Sequence, residues 1–150
     1  MSPFAGRWEE TDRRLREQLT PALLDGEPLV GVVHATQAKT FSADLFAVGV
    51  TPDRLLILPI DRKLAAKGDA AESVSRSDVR ECSVWGWGGG LKEFLSARGD
   101  QEIRIETPVR KYKLMILGGN MLENSLAGEG QLAGLEALVA FLTSTKPRMP

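Results

Sequence analysis

The sequence predicts an α+β domain that is mainly β, with about seven short antiparallel strands between an N-terminal helix and an apolar C-terminal helix. Three observations carry this expectation. QEIRIET (101–107) and KYKLMI (111–116) alternate apolar and polar residues with the period of a half-buried strand. LVGVVHAT (29–36) is rich in β-branched residues and too short between its breakers for a helix. QLAGLEALVAFLTS (131–144) sets Leu132, Leu135, Leu138, Val139 and Leu142 on one wide face at helical spacing.

The elements follow in order. Ser2 can cap free backbone donors and Pro3 suits the first helical position. Phe4, Trp8, Leu15 and Leu19 then share one stripe, opposite a face of mixed charge from Glu9, Asp12, Arg13, Arg16 and Glu17. Thr20-Pro21 starts a short turn that DGEP (25–28) ends. After the first strand, LFAVGVT (45–51) and RLLILPI (54–60) form a hairpin through Pro52-Asp53. DRKLAAKGDAAE (61–72) is small, charged and broken by Gly68, which predicts a mobile connection. Residues 73–76 form a short strand, 79–85 a longer one, and 91–97 a weaker one. A turn at Pro108 and Val109 would set Ile105 opposite Tyr112 and Ile103 opposite Leu114, joining the buried faces of both strands. GGNMLENSLAGEG (118–130) is loop-like, and Lys146-Pro147 stops the last helix.

Composition narrows the function. At 150 residues the chain fits one domain that needs no disulfide or metal staple, and its net charge of -1 speaks against a nucleic-acid backbone as partner. A single cysteine, Cys82, fits a reducing compartment. MSPFAGRWEE reaches acidic residues too soon for a secretory leader, and no apolar run approaches the ~20 residues that span a bilayer. The expected address is cytoplasmic.

The element order, together with VTPDRLLIL (50–58), resembles the bacterial pleckstrin-homology-like (PH-like) domains. In those, Thr, a short turn and Arg-Leu open the third strand, as Thr51, Pro52, Asp53, Arg54 and Leu55 do here. The resemblance spans roughly Gly26 to Thr145. It implies a strongly bent sheet, a partly open barrel, with one end closed by the final helix. Residues 1–26 are then an N-terminal helical extension and 27–150 the PH-like domain, within a single structural domain overall.

VWGWGGG (84–90) is the most unusual stretch, with two tryptophans among four glycines. Alternation stands Trp85 and Trp87 together, and three consecutive glycines permit a sharp bend. The run lacks the spacing of a phosphate loop, so a bent strand is the first expectation and an aromatic docking surface the second. Headgroup-gripping PH domains use a basic cluster around their first two strands. HATQAKTFSAD (34–44) offers Lys39 alone there, which argues against phosphoinositide binding. Arg62, Lys63 and Lys67 are a substitute cluster, flanked by Asp61 and Asp69. Arg110, Lys111 and Lys113 form a second basic run, but the hairpin register sets Lys111 against Glu106 and brings Glu102 and Glu106 diagonal to Lys113, a compensated wet face.

His34 is the single histidine and shares a strand face with Val30, Val32 and Thr36, with no acid or nucleophile fixed near it by local spacing. One histidine and one cysteine do not make a zinc site. No catalytic residue, metal or cofactor is expected. The first functional reading is therefore a non-enzymatic binding module acting on an unidentified protein partner or on itself, through the Trp85/Trp87 region, the strand edges and the charged N-terminal helix. The second is a peripheral binder of anionic membrane using the two basic clusters. The third is an enzyme with a small-molecule pocket near His34.

Overall fold

The computed structural model describes residues 3–68, 70–85, 101–116 and 130–145. Helix α1 (Pro3–Leu19) and a 3-10 turn (Thr20–Ala22) lead into β1 (Gly31–Ala38), β2 (Ala43–Val50), β3 (Arg54–Ile60) and β4 (Glu72–Ser75). A second 3-10 turn (Arg76–Asp78) precedes β5 (Glu81–Trp85), β6 (Gln101–Glu106) and β7 (Lys111–Ile116), and α2 (Gly130–Thr145) follows. The strands form one seven-stranded sheet in the order β4-β3-β2-β1-β7-β6-β5, antiparallel throughout. The β6–β7 register is the one expected from the two alternating segments, Ile105 opposite Tyr112 and Ile103 opposite Leu114. Trp87, the strand expected at 91–97, the loop at 118–129, Ser2 and Lys146-Pro147 lie outside the described residues, and of Trp85 the backbone alone is described, paired with Glu102.

Two apolar layers sit on opposite faces of the sheet. The inner one joins Val33 and Ala35 of β1, Phe46, Val48 and Val50 of β2, Leu55 and Ile57 of β3, and the alternating residues of β6 and β7. Leu135, Leu138, Val139, Phe141 and Leu142 of α2 complete it, so the last helix closes the concave side of the bent sheet. The outer layer consists of the intervening residues Val32, Ala47, Leu56, Leu58 and Ile60, covered by Leu15 and Leu19 of α1. Both leucines are fully buried, and each such burial contributes about 1.5–3 kcal/mol. The expected solvated face of α1 is laced by ion pairs one turn apart, Arg13–Glu17 at 2.7 Å, Arg14–Glu10 at 3.0 Å and Arg16–Asp12 at 2.9 Å.

The seat of α2 on β1 is unusually close. A Cβ built on Gly134 would stand 2.0 Å from the carbonyl oxygen of Val32, and one on Gly31 would stand 2.8 Å from Cβ of Ala137. Glycine at both positions lets helix and strand backbones approach where any side chain would push them apart. At the far end of α2, the Arg76 guanidinium donates to Ser144 Oγ at 3.0 Å and lies 4.7 Å from the Phe141 ring centre. The turn between β4 and β5 is thereby tied to the helix.

Two turns share one construction. In Thr51-Pro52-Asp53-Arg54 and in Thr107-Pro108-Val109-Arg110, a buried threonine hydroxyl accepts from the two following backbone N–H groups. In each, the same threonine's N–H donates to the arginine carbonyl. Pro presets the turn and the threonine side chain satisfies donors the turn would leave open. Thus the residues that carry the family resemblance at 51–55 are a turn lock.

Arg54 does more than begin β3. Its guanidinium grips Glu27 with two hydrogen bonds of 2.7 and 2.9 Å and also donates to the Ala22 carbonyl at 2.7 Å and Ser73 Oγ at 3.0 Å. The linker after α1 is so fastened to β3 and β4. The Arg54 hydrogen bonds, with that of the Leu24 N–H, hold the Glu27 carboxyl at about 2 against an ordinary 4.5. The folded state therefore resists protonation of Glu27, and this stabilisation is complete above the ordinary value and is lost as pH falls from about 4.5 towards about 2. Glu27→Gln is expected to lower the thermal midpoint at neutral pH and to flatten its decline across that acid window. Parallel curves for the two proteins there would show that the clamp is not formed in solution.

Candidate functional site

Strand direction gathers three connections at one end of the barrel. β1 runs towards the 39–42 tip, β3 towards the 61–71 connection, and β6 towards the 107–110 turn, because β7 is antiparallel to both β1 and β6. Side-chain bonds across the end agree: Arg110 reaches Glu72 at 3.2 Å, Tyr112 donates its hydroxyl to Glu72, and the Lys113 N–H donates to Gln37 Oε1 at 2.8 Å. Burial and the Glu72 carboxylate push the Tyr112 hydroxyl well above its ordinary range, so it stays a proton donor. The two basic clusters, distant in sequence, therefore lie on connections at the same end of the sheet, as does Lys39.

Their charges are not equally available. Lys111 faces Glu106 at 3.6 Å, Lys113 faces Glu102 at 3.8 Å, and Lys39 faces Asp44 at 3.1 Å. With Arg110 on Glu72, the whole 110–113 run is compensated, as the hairpin register implied. Arg62, Lys63 and Lys67 make no ion pair within the described residues. Two apolar side chains stand uncovered at the same end, Phe41 with 98% of its surface exposed and Val109 with 71%. Sequence reasoning passed over Phe41, although a lone aromatic between Thr40 and Ser42 in a hairpin tip was its signal.

The 61–71 connection is not the free linker that its composition suggested. The Asp61 carboxylate accepts the N–H groups of Lys63 at 2.8 Å and Ala65 at 3.0 Å, which holds its pKa below the ordinary value. Ala66 pairs with Ile60, and its N–H donates to Gln18 of α1 at 3.0 Å. Within this knot Leu64 takes φ 67, the left-handed region that a branched side chain rarely enters, and packs against the outer core. Asp61 thus winds the chain so that Leu64 turns inward while Arg62 and Lys63 stay at the surface.

An open cleft of about 490 Å3 results where this knot meets α1. The helix supplies Glu10, Thr11 and Arg14, and the knot supplies Arg62, Lys63 and Leu64. His34 of β1 and Leu45 of β2 form the remaining wall. His34 lies on the outer face with Val32, as alternation predicted, and burial lowers its pKa, so its imidazole is neutral at pH 7. Cys82 belongs to the other side of the sheet, packed against the inner core with Sγ 3.9 Å from the Leu142 carbonyl. No group of three or more metal-ligating side chains occurs among the described residues. No helix among them is long and apolar enough to cross a membrane.

No family model matches the sequence, and no curated protein matches it. Among solved structures, the chain is similar to a PH domain within OCRL that bridges clathrin-mediated membrane trafficking to phosphoinositide metabolism, with a TM-score of 0.54 at 12% identity over 93% of this chain and 84% of that one. The fold is PH-like. Looser likenesses are the hSac2 domain from human phosphoinositide phosphatase Sac2 (TM-score 0.48, 12% identity, 95% and 84% covered) and the C-terminal domain of an unknown protein from Leishmania infantum (0.43, 12%, 87% and 93%). The PH-like assignment rests on the first likeness and on the seven-stranded antiparallel sheet closed by a helix. Relative to the sheet of this PH-like fold, the cleft lies on the convex face, beneath the helix that precedes the first strand.

Proposed function

We propose that the chain is a non-enzymatic binding module of the bacterial PH-like class that works through protein contacts or self-association. The observation that carries this reading is the make-up of the 39–42 tip and the 107–113 hairpin. Each cation of the 110–113 run faces a carboxylate, while Phe41 and Val109 stand uncovered beside them. Apolar anchors inside a neutralised polar rim are the composition of a protein-contact surface. An anionic bilayer instead draws on uncompensated cations, at about 1 kcal/mol for each. The edges β4 and β5, with Trp85 at the end of β5 and Trp87 beyond it in the sequence, extend the proposed contact area. The non-enzymatic part rests on His34 and Cys82, the single histidine and cysteine, which lie on opposite faces of the sheet and do not form a nucleophile–base pair.

The test compares the full chain with a Phe41→Ser, Val109→Ser variant by sedimentation over a concentration series and by flotation on phosphatidylcholine vesicles with and without phosphatidylserine. The expected result is association that the variant loses while its thermal midpoint holds, and no flotation on either vesicle. A chain that is strictly monomeric removes self-association and leaves a separate protein partner. Strong flotation on the anionic vesicles that fades with salt would overturn the reading in favour of membrane binding through Arg62, Lys63 and Lys67.

A further inference from the structure

We propose that the cleft beneath α1 binds a phosphate monoester carried on a small apolar body. Neither Phe41, Val109 nor the 110–113 run lines the cleft, so this assignment stands or falls independently of the protein-contact reading. Its volume of about 490 Å3 lies within the range of small-molecule pockets. Its walls combine two apolar side chains, Leu45 and Leu64, with convergent polar groups from three elements. Arg62 and Lys63 bring two positive charges, Lys63 within the field of the Asp61 carboxylate, and neither closes an ion pair among the described residues, which suits the charge of nearly two on a phosphate monoester at neutral pH.

The helix side shows the same preference. Thr11 is 4% exposed, lines the cleft, and its hydroxyl has no hydrogen-bond partner among the described residues. A buried hydroxyl with open capacity is a group that a ligand oxygen would complete. Arg14 is held by Glu10 at 3.0 Å, and the Glu10 carboxylate stands at the rim. A single compact anion can sit on Arg62 and Lys63 away from Glu10, whereas a chain of phosphates would run against that negative charge. The left-handed Leu64 and the Asp61 knot are what hold Arg62 and Lys63 at the cleft while filling its floor.

His34 is the single histidine of the chain and lines the cleft, so its ring proton signals report occupancy in proton NMR without further assignment. The full chain is titrated with phenyl phosphate, with inorganic phosphate, and with phosphatidylcholine vesicles containing phosphatidic acid, whose headgroup is the same monoester in a bilayer. Phenyl phosphate is expected to move the His34 signals saturably and to bind at least about tenfold more tightly than inorganic phosphate, because the apolar wall adds burial. An Arg62→Ser, Lys63→Ser variant should weaken binding by about tenfold or more, and Glu10→Gln should strengthen it. Lys111→Ser on β7 should leave it unchanged. The proposal is overturned by His34 signals that phenyl phosphate leaves in place, by equal affinity for inorganic phosphate, or by an Arg62/Lys63 variant that is folded and binds like the parent. Response to the phosphatidic acid vesicles alone would also overturn it, assigning the cations to a bilayer.

Discussion

Gly134→Ala is expected to destabilise the protein by about 3 kcal/mol or more, the upper part of the range for overpacked cores. The sign is the informative part. Alanine is the better helix former by about 1 kcal/mol, so a helix resting loosely on the sheet would gain stability from this change. Here the added methyl would stand 2.0 Å from the Val32 carbonyl oxygen and 3.2 Å from its nitrogen, both backbone atoms of a central strand that cannot rotate aside. The helix must lift, and with it Leu135, Leu138 and Leu142 leave the inner core. For a chain of this size the loss corresponds to roughly 6–12 °C in thermal midpoint. Denaturant and thermal unfolding decide the matter, and a raised or unchanged midpoint would mean that α2 does not close the sheet as described.

Leu19→Ala is expected to cost about 2–5 kcal/mol, as full truncation of a buried leucine does. Leu19 is fully buried on the outer face, and its Cδ1 reaches so close to Gly49 of β2 that a Cβ there would be 3.0 Å away. Leu24→Ala is the matched control, since Leu24 is 65% exposed and substitutions of that kind fall within about 0.5 kcal/mol of neutral. The comparison measures how far residues 1–26 belong to the fold. If α1 were an extension docked on a self-sufficient domain, Leu19→Ala would leave the main unfolding transition where it is. A shift of the whole transition would make the helix part of one cooperative unit.

The sequence was most legible where one face of a strand is wet. In β6 and β7 the outer positions carry Glu102, Arg104, Lys111 and Lys113, so alternation fixed both the strands and their register. In β2 and β3, and at Val32 of β1, the outer positions are apolar as well, because α1 covers them. Their runs LVGVV, LFAVGV and RLLILPI read plainly as strands, but the absence of alternation carried a second message, that another element lies on the convex side. The stripe of Leu15 and Leu19 was visible, yet nothing in the spacing said which surface it would meet. Hence the basic residues 62, 63 and 67 could be noticed as a cluster, while the meeting of Arg62 and Lys63 with Arg14, Thr11 and His34 could not.

Local chemistry decided the elements of this protein by itself. β-branched runs favour extended backbone, the Thr-Pro-x-Arg segments carry their own turn geometry, and the 131–144 pattern makes a helix with an apolar face. Those preferences act between residues a few positions apart, and a single chain displays them in full. The site depended on contacts across tens of residues: Gln18 on Ala66, Arg54 on Glu27, Arg110 on Glu72. Which faces meet is set by the packing of two helices on opposite sides of one bent sheet, a property of volumes and approach distances that no local pattern encodes.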